Sequence, residues 1–266
     1  FVDDTKYSLP TLKSNVSMLT PVLFANINLV VVGAGHSLVS KEAVLKGRCD
    51  SFVVETDIHF PTDLNLLWDC GRKAVELIAR LFDDMGMTEW RQWAYHLQEL
   101  KKLMIRCSKI SHSTSKKAER QKAKEEQKKR AYEAYLAKAL GLILKVEATL
   151  VQIPDLSEVV VATKNLIMYF VEHGRHQMDL IRRRVLDDET IPHDEKVFSV
   201  FEPHSEWISK GKAGVPQELG LKICVMEDQH GFILGHEIMQ NKNDAQVACS
   251  FVKSVKEEFP NLSSCS

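Results

Sequence analysis

Apolar residues recur along this chain with two different periods, and the change between them divides it. From about 64 to 188 the spacing is three and four, as on one face of a helix. Leu66, Leu67, Cys70, Ala74, Leu77, Ile78 and Leu81 form one stripe, and Trp90, Trp93, Ala94, Leu97, Leu100 and Met104 a second. Tyr132, Tyr135, Leu136, Ala139, Leu140, Ile143, Val146 and Leu150 form a third, stopped at Pro154. Val160, Leu166, Ile167, Phe170, Val171, Met178, Ile181 and Val185 form the fourth. Four amphipathic helices in series predict a bundle or long hairpins.

On either side of this block the pattern shortens. Ser51–Ile58 is dense in β-branched and aromatic residues and closed by Pro61, which predicts a strand. Phe52, Val54, Thr56 and Ile58 would share one face; Val53, Glu55 and Asp57 would share the other. Thr62 or Asp63 is the expected N-cap of the next helix. Lys196–Phe201 predicts a strand ended by Glu202-Pro203. Leu219–Met226 and Phe232–Met239 predict a hairpin turned at Glu227–Gly231. Asp244–Phe259, with Val247, Phe251, Val255 and Phe259 on one face, predicts a helix stopped by Pro260, and Ser263–Ser266 looks like the opening of another strand. The resulting division is 1–50, an N-terminal helical segment; 51–63, a first core strand; 64–190, a helical insertion; and 191–266, the remaining strands and helix.

Residues 16–34 are apolar enough to require a membrane test. Ser17, Thr20, Pro21, Asn26 and Asn28 interrupt the run, so a buried helix entered at Pro21 is expected rather than a span. Asp3 and Asp4 stand where a signal peptide would be positive. The Gly33-Ala-Gly35 step lacks a third glycine or a phosphate-loop lysine and reads as a helix C-cap.

Charge adds a second layer. The net charge of −1 conceals a run at 101–130 with twelve Lys/Arg and three Glu. Such a block points to a polyanionic partner, although charge runs also form solvated helix faces. Lys116, Lys117, Arg120, Lys122, Lys124, Lys128, Lys129 and Arg130 are the candidate phosphate contacts, with Lys210 and Lys212 and the Arg182–Arg184 cluster as smaller ones. No aromatic residue interleaves the main run, so duplex backbone contact is expected rather than single-strand stacking. Six scattered cysteines without a C-x-x-C pair predict free thiols in a reducing cytoplasm.

Asp57 is the first candidate for chemistry. A carboxylate on a buried strand requires a partner or a cation, and Mg²⁺ takes one or two carboxylates; a strand-end Asp closing the Phe60–Thr62 turn is the competing reading. Glu55, Asp63 and Asp228 are rival acids, of which Asp228 fits a turn and Asp63 a helix cap. His173 and His176, three apart on a helix, have no third ligand near them in sequence and read as surface residues.

Val53–Leu67, with its Val-Val-Glu-Thr-Asp-Ile-His-Phe-Pro-Thr-Asp core, closely resembles the first-acid segment of bacterial insertion-sequence transposases of the DDE, RNase H-like type. Glu195–Lys212 and the Gly220–Met239 hairpin resemble two further blocks of the same group, akin to the IS-four and IS-five superfamily with a long helical insertion. The resemblance implies an α/β fold: an RNase H-like core, incomplete here, interrupted by an all-α insertion. It also implies DNA transposition, with two Mg²⁺ between three carboxylates driving in-line phosphodiester displacement. Asp57 matches the first acid and Mg²⁺ ligand. The second is expected at the end of the strand opening near Ser263 and the third on a later helix, both beyond Ser266, so this chain alone is expected not to cleave or join DNA.

The implied partners are double-stranded transposon ends and, for the full-length protein, a second copy in a homodimer; no membrane partner is expected, and the location is the bacterial cytoplasm at the nucleoid. The rival expectations are a non-catalytic helical interaction protein and a decayed transposase copy.

Overall fold

The computed structural model describes residues 7–39, 44–111, 118–209 and 217–266. The chain forms two compact units: Phe1–Thr56 with Glu206–Ser266, and Asp57–Ser205.

The first unit is a mixed α/β structure. Its elements are α1 (Leu9–Ser17), α2 (Pro21–Val39), β1 (Leu45–Glu55), β2 (Glu206–Ser209), β3 (Gln217–Asp228), β4 (Ile233–Ile238), α7 (Asp244–Glu258) and β5 (Leu262–Cys265), with α3 to α6 belonging to the second unit. β3 runs antiparallel to β1, from Gly47↔Asp228 to Glu55↔Gly220. On its other edge β3 pairs antiparallel with β2 through Gln217–Gly220 and with β4 through Ile223–Glu227. β5 returns after α7 to lie parallel to β1. The strand order is therefore β2, β3, β1, β5, with β4 pairing β3 on the same edge as β2, farther along the strand.

Local chemistry explains these elements. Asn243 caps α7 by accepting from the Gln246 amide while the Gln246 side chain accepts from the Asn243 amide. Val247, Phe251 and Val255 of α7 bury against Leu45, Met226, Leu234 and Leu262. Burying each such side chain contributes about 1.5–3 kcal/mol. Between β3 and β4, the Asp228 carboxylate accepts from the His230 and Phe232 amides, and Gly231 takes φ +80°. That is the turn role expected of Asp228.

Three expectations are corrected in this unit. β1 begins at Leu45, six residues before the expected start, and ends at Glu55. Its buried positions are Leu45 and Gly47, with Cys49, Ser51 and Val53 half-buried, while Phe52 and Val54 face outward. The apolar pair therefore marks the open face, and a glycine and small polar residues line the covered one. α2 runs through Gly33 and Gly35 instead of ending there. A Cβ on Gly35 would lie 2.3 Å from the Phe232 ring, so this glycine serves helix–hairpin contact. Finally, α2 is not buried as expected: Val32 is its one buried residue, and the helix is long and apolar enough to cross a membrane.

The second unit is the helical block, with α3 (Asp63–Asp84), α4 (Trp93–Ser111), α5 (Ala118–Leu150) and α6 (Glu158–Val185). α3 packs on α4, α5 and α6, and α5 packs on α4 and α6. Thr62 is the N-cap of α3, its hydroxyl accepting from the Asn65 amide. Ser157 caps α6 in the same way. The stripes read from sequence supply the cores: Ala74, Ile78, Val146, Ile167 and Val171 in one, and Leu67, Leu100, Tyr135 and Ile181 in the other. The Tyr135 hydroxyl, fully buried, donates to the Leu64 carbonyl at 3.0 Å.

Lys196–Phe201 is irregular rather than a strand. Its polar backbone is satisfied by α6, where Tyr169 donates to the Val200 carbonyl and the His176 ring binds the Glu195 carbonyl. The Ser199 hydroxyl accepts from the Phe201 and Glu202 amides. With side chains meeting these groups, the segment follows the bundle instead of joining a ladder.

Candidate functional site

Asp57 lies past the end of β1, exposed, in the irregular stretch that leads into α3. The ladder closes with the Thr56 amide donating to the Leu219 carbonyl, and the chain then leaves the sheet toward Pro61. Placement of Asp57 on a buried strand is thus corrected. It borders a small cavity of about 110 Å³ beside His59 and Asp69. There the buried Asp69 carboxylate holds the His59 ring at 2.6 Å and receives Arg72 at 3.4 Å. Partial burial works to lower the His59 pKa. The Asp69 hydrogen bond and the Phe60 carbonyl outweigh it and hold the imidazole above its ordinary value.

The strand itself carries a different acid. Asp50 sits in β1 opposite Val225, one residue after Cys49, whose amide donates to the Ser266 carbonyl. The β1 segment that bears Asp50 therefore runs beside the end of β5. A cavity of about 720 Å³ opens here, bordered by Asp50, Ser51, Asp244 and Ser266. Asp244, the first residue of α7, is held below the ordinary carboxylate range by the Lys222 ammonium at 2.8 Å and by the Ser51 hydroxyl. Asp50 falls outside the strand expected from Ser51 onward because β1 starts six residues earlier, at Leu45. The signal was the alternation Leu45, Gly47, Cys49, Ser51, which small residues at the inner positions disguise.

The rival acids have structural work. Asp63 pairs with Arg184 at 2.6 Å. Glu55 ends β1 opposite Gly220. Asp228, besides its turn, binds the His36 ring at 2.5 Å and so ties α2 to the hairpin. His173 and His176 are half-buried rather than surface residues, the first packed with its ring tilted against Tyr169 and the second hydrogen-bonded through Nε2 to the Glu195 carbonyl. Among the described residues, no group of three His, Cys, Asp or Glu side chains is arranged to hold a metal ion.

The basic residues divide. Lys116, Lys117, Lys210 and Lys212 lie outside the described residues. On α5, Lys128 pairs with Glu125, and Lys129 with Asp188 and the Leu186 carbonyl. Arg120, Lys122, Lys124 and Arg130 make no ion pair within 4 Å among the described residues; all but the half-buried Lys124 are exposed. The Arg182–Arg184 cluster is committed elsewhere: Arg182 to Asp179, Arg183 to Asp179, Glu189 and Glu195, and Arg184 to Asp63. Among the described candidates, those left without an acid partner lie in the first turns of α5.

Compared with protein-family models, curated proteins and solved structures, the chain matches none of them.

Proposed function

We propose that this chain is a DNA-handling protein of the insertion-sequence transposase kind, with an RNase H-like first unit and a DNA-contacting helical unit. The observation that carries this reading is the pairing: β4 antiparallel to β3, β3 antiparallel to β1, and β5 parallel to β1 after a helix. An RNase H-like core requires three antiparallel strands, a helix, and a fourth strand beside the first, and the helical block follows the first strand. In this reading Asp50 is the acid carried on β1 beside Cys49, whose amide meets the Ser266 carbonyl just past β5, and Asp57 follows in the stretch that leaves the sheet.

Arg120, Lys122, Lys124 and Arg130 are the duplex backbone contacts, acting on phosphate charge without reading bases. The test is fluorescence anisotropy of a labelled duplex titrated with the full chain at several salt concentrations. Binding that weakens along a straight log–log salt line supports the reading. Absence of binding at 50 mM salt (a low value chosen because affinity falls steeply with salt) would overturn the DNA contact.

A further inference from the structure

The cavity beside Asp50 is also bordered by four of the six cysteines, Cys49, Cys224, Cys249 and Cys265. Two of them touch. The Cys49 and Cys224 sulfurs lie 3.1 Å apart on adjacent antiparallel strands, Cys49 in β1 and Cys224 in β3. Cys224 pairs in register with Ser51, so the two cysteines are diagonal neighbours on one sheet face, the face covered by α7. A disulfide needs the sulfurs about 1 Å closer, at roughly 2.05 Å. Side-chain rotation with a small adjustment of the two strands supplies a movement of that size.

We propose that Cys49 and Cys224 are an oxidative modification site, which a peroxide converts to a disulfide joining the two chain segments of the first unit. Those segments, Phe1–Thr56 and Glu206–Ser266, are separated in sequence by the whole helical unit. The cysteines are 175 positions apart, so the bond would close a very long loop, the case in which cross-linking restrains the unfolded chain most.

The chemistry balances. The half-buried Cys49 sulfur attacks one peroxide oxygen and breaks the O–O bond, giving a sulfenic acid and one water. The Cys224 sulfur then displaces the sulfenic oxygen as a second water and forms the S–S bond. Two thiols and one hydrogen peroxide thus give one disulfide and two waters, the two thiol protons leaving in the waters. Burial, and then the neighbouring Cys224 thiol, push the Cys49 thiol up to about 12. That keeps Cys49 a thiol and slows its attack on peroxide, so the conversion requires sustained oxidant. Cys265, whose thiol is also raised by burial and by Cys49, is a competing partner in the cavity.

The test oxidises the full chain with hydrogen peroxide, then cuts it with trypsin at the exposed basic turns of α5. On a non-reducing gel the two halves should stay joined until dithiothreitol is added. Peptide mass mapping of the wild-type chain should show Cys49 linked to Cys224, with the loss of two hydrogens, and the melting temperature should rise. Cys49→Ser and Cys224→Ser should each abolish the link. A Cys49–Cys265 link, sulfinic acid on Cys49 with Cys224 still open to alkylation, or no oxidation of either thiol would overturn the proposal. Because the map reads the wild-type protein, this outcome does not depend on the variants folding.

Discussion

The His59 ring and the Asp69 carboxylate meet at 2.6 Å, joining the irregular stretch after β1 to the first turns of α3. Asp69 is buried in the bundle, whereas half of the His59 side chain remains exposed. The pair fixes how the chain enters the helical unit.

Its pH dependence follows from the sign of the shift. The folded His59 pKa is raised above 6.5, because the Asp69 and Phe60 hydrogen bonds outweigh partial burial. A raised folded pKa means that the stabilisation is complete below the unfolded value and is lost as pH climbs through the folded one. The melting-temperature gap between wild type and His59→Ala should therefore be wide at acid pH and narrow above neutrality. A gap that stays constant from acid to alkaline pH would show that the ring acts by packing alone.

Two glycines should respond oppositely to the same change. A Cβ on Gly33 meets nothing within 4 Å, and Gly33 lies inside α2, so Gly33→Ala should stabilise by about 0.5–1 kcal/mol through helix propensity. A Cβ on Gly220 would fall 2.2 Å from the Val54 carbonyl oxygen, which is backbone locked in the β1–β3 ladder. Gly220→Ala should destabilise by about 1–3 kcal/mol. Urea unfolding midpoints of the two variants check both signs.

On α5 the free and the engaged cations should separate by assay. Reversing Arg120, Lys122 and Lys124 to Glu should weaken duplex binding and lower the log–log salt slope by roughly 0.9 for each phosphate no longer neutralised. Lys129→Glu removes the bonds to Asp188 and the Leu186 carbonyl, and should lower the melting temperature while leaving the slope nearly unchanged. Equal slopes in all the proteins would leave the basic run as a solvated helix face.

Tyr135→Phe isolates one buried hydrogen bond. The hydroxyl is sealed in the core, its own pKa driven well up by burial, and it donates to the Leu64 carbonyl in the first turn of α3. Removing it leaves that carbonyl with an unmet lone pair at a cost of about 1–3 kcal/mol. Chemical denaturation should show the loss without a change in the slope that reports surface exposed on unfolding.

Much of this fold was legible residue by residue. The Thr62 cap, the hairpin turn at Asp228, the α7 stripe and the four helices follow from local chemistry that the structure realises. The Lys196–Phe201 segment was misread because a strand-like composition says nothing about which neighbour satisfies its backbone. Asp57 was misplaced for a related reason. β1 ends where β3 stops pairing with it, and that boundary belongs to the partner strand rather than to the β1 sequence.

The sequence by itself determined where helices begin, which of their faces seek a core, and that a helical block interrupts an α/β unit. Periodicity and capping are local, so they survive being read in one dimension. Only the tertiary structure decided that Cys49 meets the backbone of Ser266, that Cys49 touches Cys224, and that Arg184 is taken by Asp63. Those outcomes depend on register between strands and on contacts between residues tens to hundreds of positions apart. No local pattern encodes them, because one residue of slip in a ladder exchanges the two faces of a strand.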